Sequence, residues 1–385
     1  MDDATFVERT FGRIERVPGP YGYDHYVPAP LPRTLQLDAR TTRALSEADR
    51  AIGRLAGTGR LLPNPHLLVQ PYLLTEALAS SRIEGTQASL TDVLEAAVDD
   101  EESPDIDVRE VQNYIAAFET ARRRLGELPL SLRLIREAHE RLLRNVRGKE
   151  KHPGDFRITQ NWIGAPGGTL EDATFVPPRH EPEMQAALRD WEALLHERDL
   201  DLPPLVVCGL LHYQFETIHP FLDGNGRLGR LLIILYLMDV GELPEPLLYL
   251  SPYFERDRPT YYARLQAVRE RGEMQAWLQY FLVGVATQAK DAVDRAERLL
   301  DLQTEWRTRL AGDRSYAPHV IDLLFATPFI TTQRVMRALS VTNAGANSVL
   351  RRLEKVGILE RAHVGGRGGR ITWVAPAILD LLVDP

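Results

Sequence analysis

Residues 219–230 read His-Pro-Phe-Leu-Asp-Gly-Asn-Gly-Arg-Leu-Gly-Arg, a polar, glycine-rich loop between two long apolar runs. Phosphoryl chemistry requires a cradle for negative oxygens, a held divalent metal and a group that takes a proton from the acceptor. Gly224, Asn225 and Gly226 can turn successive backbone N–H groups toward one point, because glycine tolerates positive φ. A helix starting near Arg227 adds its free N–H groups and the positive end of its dipole. Arg227 and Arg230, three residues apart, present forked donors from one side of that helix. Asp223 is a hard oxygen ligand suited to Mg²⁺ shared with phosphates. His219 is the nearby side chain able to accept a proton near neutral pH.

Two other readings use the same residues. Gly224, Gly226 and Gly229 spell the dinucleotide fingerprint, but that pattern needs a preceding strand within a βαβ unit. Here a helix-length run ending in Thr-Ile-His-Pro precedes it. No Gly-Lys-Ser/Thr follows, which excludes a Walker loop. His212, Glu216 and His219 lie along one helical face like ligands of a bundle metal, although the zincin order is absent. The plainer reading makes His212 and Glu216 a hydrogen-bonded structural pair. Phe221 reads as an apolar anchor of the loop.

The elements that must position these groups are mostly helical. Residues 1–40 are rich in Pro, Gly and Tyr and read as irregular chain over the surface. Apolar spacings of three and four begin at Leu45, Ala48, Ile52 and Leu55. Pro71 marks the start of a helix ending at Gly85, and Ser89 with Asp92 caps the next. The acidic run from Asp99 to Asp107 reads as a solvated loop. Two more helices follow before residues 154–180, where short aromatic runs flank a Gly-rich tip in the manner of a hairpin. Helical patterns then continue to about residue 303, with a break near Gly272. Residues 314–385 read as a separate unit of three short helices and a β-ribbon.

Composition narrows the setting. The chain has 385 residues, enough for two or three domains, with 44% hydrophobic and 26% charged residues. A net charge of -8 argues against a generally basic nucleic-acid coat. The single cysteine, Cys208, lies in an apolar run and suits a buried thiol in a reducing compartment. The N-terminus lacks a signal-peptide pattern and the run 231–238 is too short to span a bilayer, so a cytoplasmic location is expected.

The segment from His219 to Arg230 resembles the Fic (Fic/Doc, "Fido") active-site motif H-x-F-x-D/E-G-N-G-R-x-x-R, without departure at its fixed positions. The segments FETIHPF, RITQNWIG…ATFVPP and PNPHLLVQPYLLTEALASSRIEGT extend the likeness to larger members with an N-terminal extension, over about residues 25–300. The resemblance implies a mainly α fold: an N-terminal extension at 1–110 with an inhibitory helix at about 71–85, and a Fic core at 111–300. A small β-hairpin flap belongs to that core. A winged helix-turn-helix at 313–385 would follow. It further implies a protein adenylyltransferase moving AMP from ATP to a Ser, Thr or Tyr hydroxyl. His219 would be the base and Asp223 would hold Mg²⁺. Gly224, Asn225, Gly226, Arg227 and Arg230 would hold phosphates, Tyr261 and Tyr262 would line the nucleotide pocket, and the flap would register a target segment.

Ser80-Ser81-Arg82-Ile83-Glu84-Gly85 resembles the family's inhibitory motif. A carboxylate at a helix C-terminus opposes the dipole by about 0.3–1 kcal/mol, which a buried cation would offset. The resemblance makes that cation Arg230, with Ser80 opening the motif. Expected partners are a protein substrate, the chain itself as target, and a second copy as a homodimer. At 344–370, Arg351, Arg352, Lys355, Arg361, Arg367 and Arg370 face Glu354 and Glu360, leaving DNA and protein docking both open. A hydrolase removing AMP and a non-enzymatic nucleotide-sensing regulator are the rival functions.

Overall fold

The computed structural model describes residues 5–61, 66–96, 103–164, 167–362 and 372–383. The chain is mainly helical. It opens with a two-stranded antiparallel sheet, β1 (Gly12–Arg16) and β2 (Asp24–Pro28), with Ile14 opposite Tyr26 and Glu15 opposite His25. This corrects the irregular reading of residues 1–40. The strands are short, and the Pro- and Gly-rich turn between them hides their alternation.

Helices α1 (Ala39–Leu61), α2 (His66–Ile83), α3 (Leu90–Ala96), α4 (Ile106–Leu125) and α5 (Leu132–Leu142) follow. Pro71 lies inside α2 rather than at its start. A proline there removes one N–H, which would have bonded the carbonyl of Leu67 near the helix N-terminus, where the loss is smallest. Ser89 and Asp92 do form the expected cap: Asp92 N–H donates to Ser89 Oγ at 3.1 Å and Ser89 N–H to Asp92 Oδ2 at 2.9 Å.

Next come α6 (Gln185–His196), α7 (Pro204–Ile218) and α8 (Asn225–Asp239), then α9 (Ser251–Arg256), α10 (Arg258–Arg271) and α11 (Met274–Arg309). Every residue of α7 from Leu205 to Ile218 is buried. That explains its apolar sequence without a polar face: it is a central helix wrapped on all sides. Helices α7 and α8 pack on each other and are joined by the loop 219–224. Trp191 and Trp277 fill the space beside α7 and donate their indole N–H to Leu211 O and Gly209 O at 2.8 and 2.9 Å. Gly272, at φ +66°, caps α10 and makes the expected break. Between α5 and α6 the hairpin is, among the described residues, one antiparallel bridge, Ile163 opposite Phe175.

The C-terminal unit comprises α12 (Ala317–Ala326), β3 (Phe329–Thr331), α13 (Thr332–Leu339), α14 (Asn343–Lys355), β4 (Glu360–Ala362), β5 (Thr372–Val374) and α15 (Pro376–Val383). Its sheet has the order β3-β5-β4. The expected ribbon tip at Gly365–Arg370 lies outside the described residues. This unit packs on the rest: α12 and α15 both contact α2. Arg295 of α11 donates to Leu381 O at 2.8 Å.

Helix α2 is held from several directions. Tyr72 OH donates to Ala292 O at 3.0 Å. Buried Glu76 accepts from Tyr114 OH at 2.9 Å, and from Ser251 N–H at 2.9 Å and Oγ–H at 2.5 Å. Glu76→Ala leaves these donors without a partner in the core. Urea unfolding should show a loss of about 3 kcal/mol, since each buried unpaired group costs roughly 1–3 kcal/mol.

Candidate active site

The loop after α7 is built by backbone hydrogen bonds to distant side chains. His219 caps α7 in a left-handed conformation, φ 49° and ψ 60°, with its N–H on Phe215 O at 3.0 Å. Its carbonyl accepts from Arg157 Nε at 3.0 Å and Asn161 Nδ2 at 3.2 Å. Arg157 also donates to Thr159 O, Pro178 O and Ile218 O, and is 1% exposed. Burial lowers its pKa to about 10, which leaves it charged at neutral pH. One guanidinium thus ties the flap's root to the histidine loop.

Phe221 is anchored twice. Its N–H donates to Asn225 Oδ1 at 2.9 Å while Asn225 Nδ2 donates to its carbonyl at 2.8 Å. Its ring stacks on His139 with centroids 3.7 Å apart. His139 Nδ1 accepts from Gly154 N–H at 2.8 Å, so Nε2 carries the proton and donates to Asp223 O at 2.9 Å. Burial lowers the His139 pKa to about 4 and keeps the ring neutral. Asn225 therefore acts as a loop staple through its side chain, leaving its backbone N–H to the helix terminus.

Helix α8 begins at Asn225, after Gly224 at φ +75°, two residues earlier than the sequence suggests. Its first N–H groups have no partner within the helix. Beside them, Arg227 and Arg230 are 4% and 1% exposed. Arg227 Nε and Nη1 and Arg230 Nη1 lack a hydrogen-bond partner among the described residues. Buried guanidinium donors left this way are costly, and an anion at the helix N-terminus would satisfy them.

Glu84 reaches this place from the end of α2. Arg230 Nη2 donates to Glu84 Oε1 at 2.7 Å and to Ser80 O at 2.8 Å, and Nε to Ser80 Oγ at 3.0 Å. A Cβ on Gly226 would lie 2.3 Å from Glu84 Oε1 and 3.0 Å from Arg230 Nη1. The carboxylate thus rests on the first turn of α8, where only glycine leaves room. Burial works to raise the Glu84 pKa, but Arg230, then Arg227 and His219, outweigh it and hold the group ionised. Burial likewise opposes charge on Arg230, and Glu84 more than restores it.

Asp223 Oδ1 accepts from Gly224 N–H at 2.6 Å and stands 3.6 Å from Arg227 Nη2. Burial raises its pKa, Arg227 and the Gly224 N–H oppose this, and Glu84 and Glu110 add to the rise. A part-exposed carboxylate in a negative neighbourhood suits a bound cation. Glu110 accepts from Arg147 at 2.7 and 2.8 Å and from Thr86 Oγ1 at 2.6 Å, and lies 3.8 Å from Arg227 Nη1.

A cavity of about 620 Å³ opens beside these groups. It is lined by Glu84, His219, Gly226 and Arg230 on one side, by flap residues Trp162, Ile163 and Phe175 on another, and by Tyr262 and Arg269 of α10. Tyr262 is half-buried and faces Arg258 at 5.6 Å. Tyr261 instead lies behind it, fully buried, with its hydroxyl 2.8 Å from His212 Nε2. Burial, then Arg157 and Arg269, lower the His219 pKa to about 4, so its ring is neutral; its Nδ1 has no partner among the described residues.

The expected pairing of His212 with Glu216 is not formed. His212 is held by Gly229 O at 3.1 Å and Tyr261, whereas Glu216 Oε1 has no hydrogen-bond partner. The two side chains point to different neighbours on the tightly packed α7–α8 face. There a Cβ on Gly229 would meet Glu216 Oε1 at 2.4 Å. That close approach accounts for the third glycine of the apparent dinucleotide fingerprint. His212, Glu216 and His219 do not gather their ligand atoms at one point either. The sequence reading missed Arg157, Asn161, His139 and Glu110. Only the Arg and Asn within the flap segment RITQN carried any signal.

The chain matches the family model "Fic/DOC family N-terminal" over residues 42–123 and "Fic/DOC family" over residues 129–237. It is 32% identical over 151 residues to "Protein adenylyltransferase fic-1" of Caenorhabditis elegans, covering 39% of this chain and 26% of that protein. It is 28% identical over 225 residues to "Protein adenylyltransferase Fic" of Drosophila melanogaster, covering 58% and 38%. The chain thus spans well under half the length of either relative. The crystal structure of a Fic family protein from Desulfovibrio desulfuricans superposes with a TM-score of 0.58 at 19% identity, over 89% of this chain and 97% of that one. The two share a fold.

Arg157→Met should cost about 3–5 kcal/mol in urea unfolding, because several buried carbonyls lose one charged donor. A loss under about 1 kcal/mol would show that Arg157 is not the clamp of the loop.

Proposed function

Residues 42–123 are a Fic/DOC family N-terminal domain and residues 129–237 a Fic/DOC domain, and from that premise we propose that the chain transfers AMP from ATP to a hydroxyl of a protein. The observation that carries this reading is the buried, unpaired Nη1 of Arg230 in one cavity with a neutral His219, with the unpaired donors of Arg227 on the same first turn of α8. In the transfer, His219 takes the proton of a Ser, Thr or Tyr hydroxyl. The oxygen attacks the α-phosphorus, the bond from that phosphorus to the β-phosphate bridge breaks, and pyrophosphate leaves. The helix terminus and Arg227 stabilise the charge on the phosphates. Asp223 would hold Mg²⁺, which neutralises phosphate charge when bound. Arg230 would meet the γ-phosphate, and Tyr262 the base or ribose.

The flap supports a protein target. Trp162, Ile163 and Gly164 border the cavity, and an extended segment could pair along that edge as an added strand. Ile158 and Trp162, both exposed, offer apolar contacts for its side chains.

Glu84 makes the resting chain autoinhibited in this reading, since it fills the place that the outer phosphate requires. The reverse reaction is the second reading, favoured by one observation: Glu84 also faces the cavity and could orient a water toward a bound AMP-modified residue. Feeding an AMP-modified protein and measuring AMP release separates the two.

We place an inhibitory extension at 1–110, a catalytic core at 111–300 and a winged helix at 313–385. The helix and strand order α12-β3-α13-α14-β4-β5 supports the last. Arg352 pairs with Asp313 and Arg361 with Glu354, which reduces the positive excess on α14 and favours a protein contact over DNA. Among the described residues, no helix is long and apolar enough to cross a membrane.

Glu84→Gly should raise AMP transfer, including onto the chain itself, by about tenfold when followed with α-labelled ATP. Glu84 is a third exposed, so its pair is credited with only about 1–2 kcal/mol. Unchanged labelling defeats autoinhibition. Adding His219→Ala should abolish transfer while ATP still binds.

The acid limb of kcat/KM gives a separate test. The base must be unprotonated, and its lowered pKa keeps it so down to about pH 4. Removing Glu84, which raises that pKa, shifts the limb lower still. A limb near pH 6.5 in the Glu84→Gly protein would show that His219 is not the desolvated base described here.

A further inference from the structure

One cluster of metal-ligating side chains lies outside this site, where the N-terminal hairpin meets the root of the flap. Glu15 of β1 and His25 of β2 are opposite each other in the sheet register. Glu183 comes from the helical turn His180–Met184, which follows the segment carrying Phe175 of the flap. One ligand atom from each of the three lies within 4.8 Å of the others.

The imidazole is the telling member. His25 is 1% exposed, and neither ring nitrogen has a hydrogen-bond partner among the described residues. Its Nε2 points at Glu183 but stands 3.8 Å from Oε1, beyond hydrogen-bond reach. Glu183 Oε2 is also buried without a partner. A buried ring with both nitrogens unused, next to an unused carboxylate oxygen, calls for a positive centre between them. Burial lowers the His25 pKa, with Glu183 opposing, which favours the neutral form that binds metal.

One oxygen of each carboxylate is already occupied, and in Glu183 it is the one facing His25. Arg13 Nε donates to Glu15 Oε1 at 2.8 Å, and Arg179 Nε donates to Glu183 Oε1 at 3.1 Å. These arginines fix the carboxylate orientations, and Glu183 Oε2 is left without a hydrogen-bond partner among the described residues. Tyr23, the other titratable group beside His25, has its hydroxyl on Gln160 Oε1 at 3.2 Å.

We propose that Glu15, His25 and Glu183 bind a divalent transition-metal ion, with Zn²⁺ the best match, and so staple the N-terminal hairpin to the root of the flap. One imidazole and two carboxylates suit Zn²⁺ better than Mg²⁺, which prefers oxygen alone. The ligands need to draw in to about 3.3 Å from one another, the spacing set by metal bonds near 2.0 Å in a tetrahedron. Side-chain torsions supply that movement. The site is mechanically placed: Tyr26 N–H donates to Val176 O at 2.9 Å, and Tyr23 OH to Gln160 Oε1 at 3.2 Å. The ion joins the same two segments that these bonds join.

The test uses the full chain carrying Asp223→Ala, which removes the nucleotide-site carboxylate, stripped with chelator and titrated with Zn²⁺ by calorimetry and with Co²⁺ by visible absorption. One equivalent should bind, and Co²⁺ should give the d–d bands of a low-coordinate site with a nitrogen ligand. Adding His25→Ala, Glu183→Gln or Glu15→Gln should each weaken that equivalent at least about tenfold. Glu15 is partly exposed, so its substitution leaves folding intact. Zn²⁺ should also raise the melting temperature of the parent but not of the Glu15→Gln protein. If the parent binds no ion, or all three substitutions leave stoichiometry and affinity unchanged, the cluster is a bare His–Glu contact and the proposal is overturned.

Discussion

The ion pair between Arg230 and Glu84 is the interaction on which the proposed regulation of the site depends. It forms on the first turn of α8, where the helix terminus and two buried arginines concentrate donors that need an anion. In the resting chain that anion is a carboxylate delivered by α2. Glu84 Oε1 rests on Gly226 and takes Arg230 Nη2, which places a carboxylate where the proposed function puts the outer phosphate. Charge complementarity makes this position attractive both to Glu84 and to the substrate the site is proposed to take.

Glu84 can hold that place because α2 is fixed along its length. Glu76 ties it to α4 and α9, Tyr72 to α11, and Ser80 hands its own carbonyl and hydroxyl to Arg230. The C-terminal unit adds α12 and α15 against the same helix that carries Glu84 at its end. Opposite it, Arg157 and Asn161 hold the carbonyl of His219, and His139 holds that of Asp223. The His219 ring is left without a partner on Nδ1 among the described residues while its backbone is held.

Much of the site was legible because its chemistry is local. Residues 219–230 carry the proposed base, the proposed metal ligand, the glycines and both arginines in one segment, and Ser80 and Glu84 share one helix end. The supporting groups were not legible. Arg157 serves carbonyls some sixty residues away, and nothing in a periodicity marks a side chain whose role is to reach across the fold. His212 and Glu216 failed for a related reason: a spacing of four puts two groups on one face, but their partners are chosen by α8 and α10. The long helices followed from apolar spacing, whereas the five-residue strands β1 and β2 were concealed by the prolines and glycines of their turn. Pro71 misplaced the start of α2, because a proline early in a helix reads as its first residue although it can sit a turn further in.

The most direct measurement is a crystal structure of the Glu84→Gly protein with Mg²⁺ and a non-hydrolysable ATP analogue. The account requires the outermost phosphate on Arg230, at the position now held by Glu84 Oε1, with the α-phosphorus facing His219 and the metal on Asp223. A nucleotide seated elsewhere, or phosphates that leave the Arg227 and Arg230 donors unpaired, would contradict it.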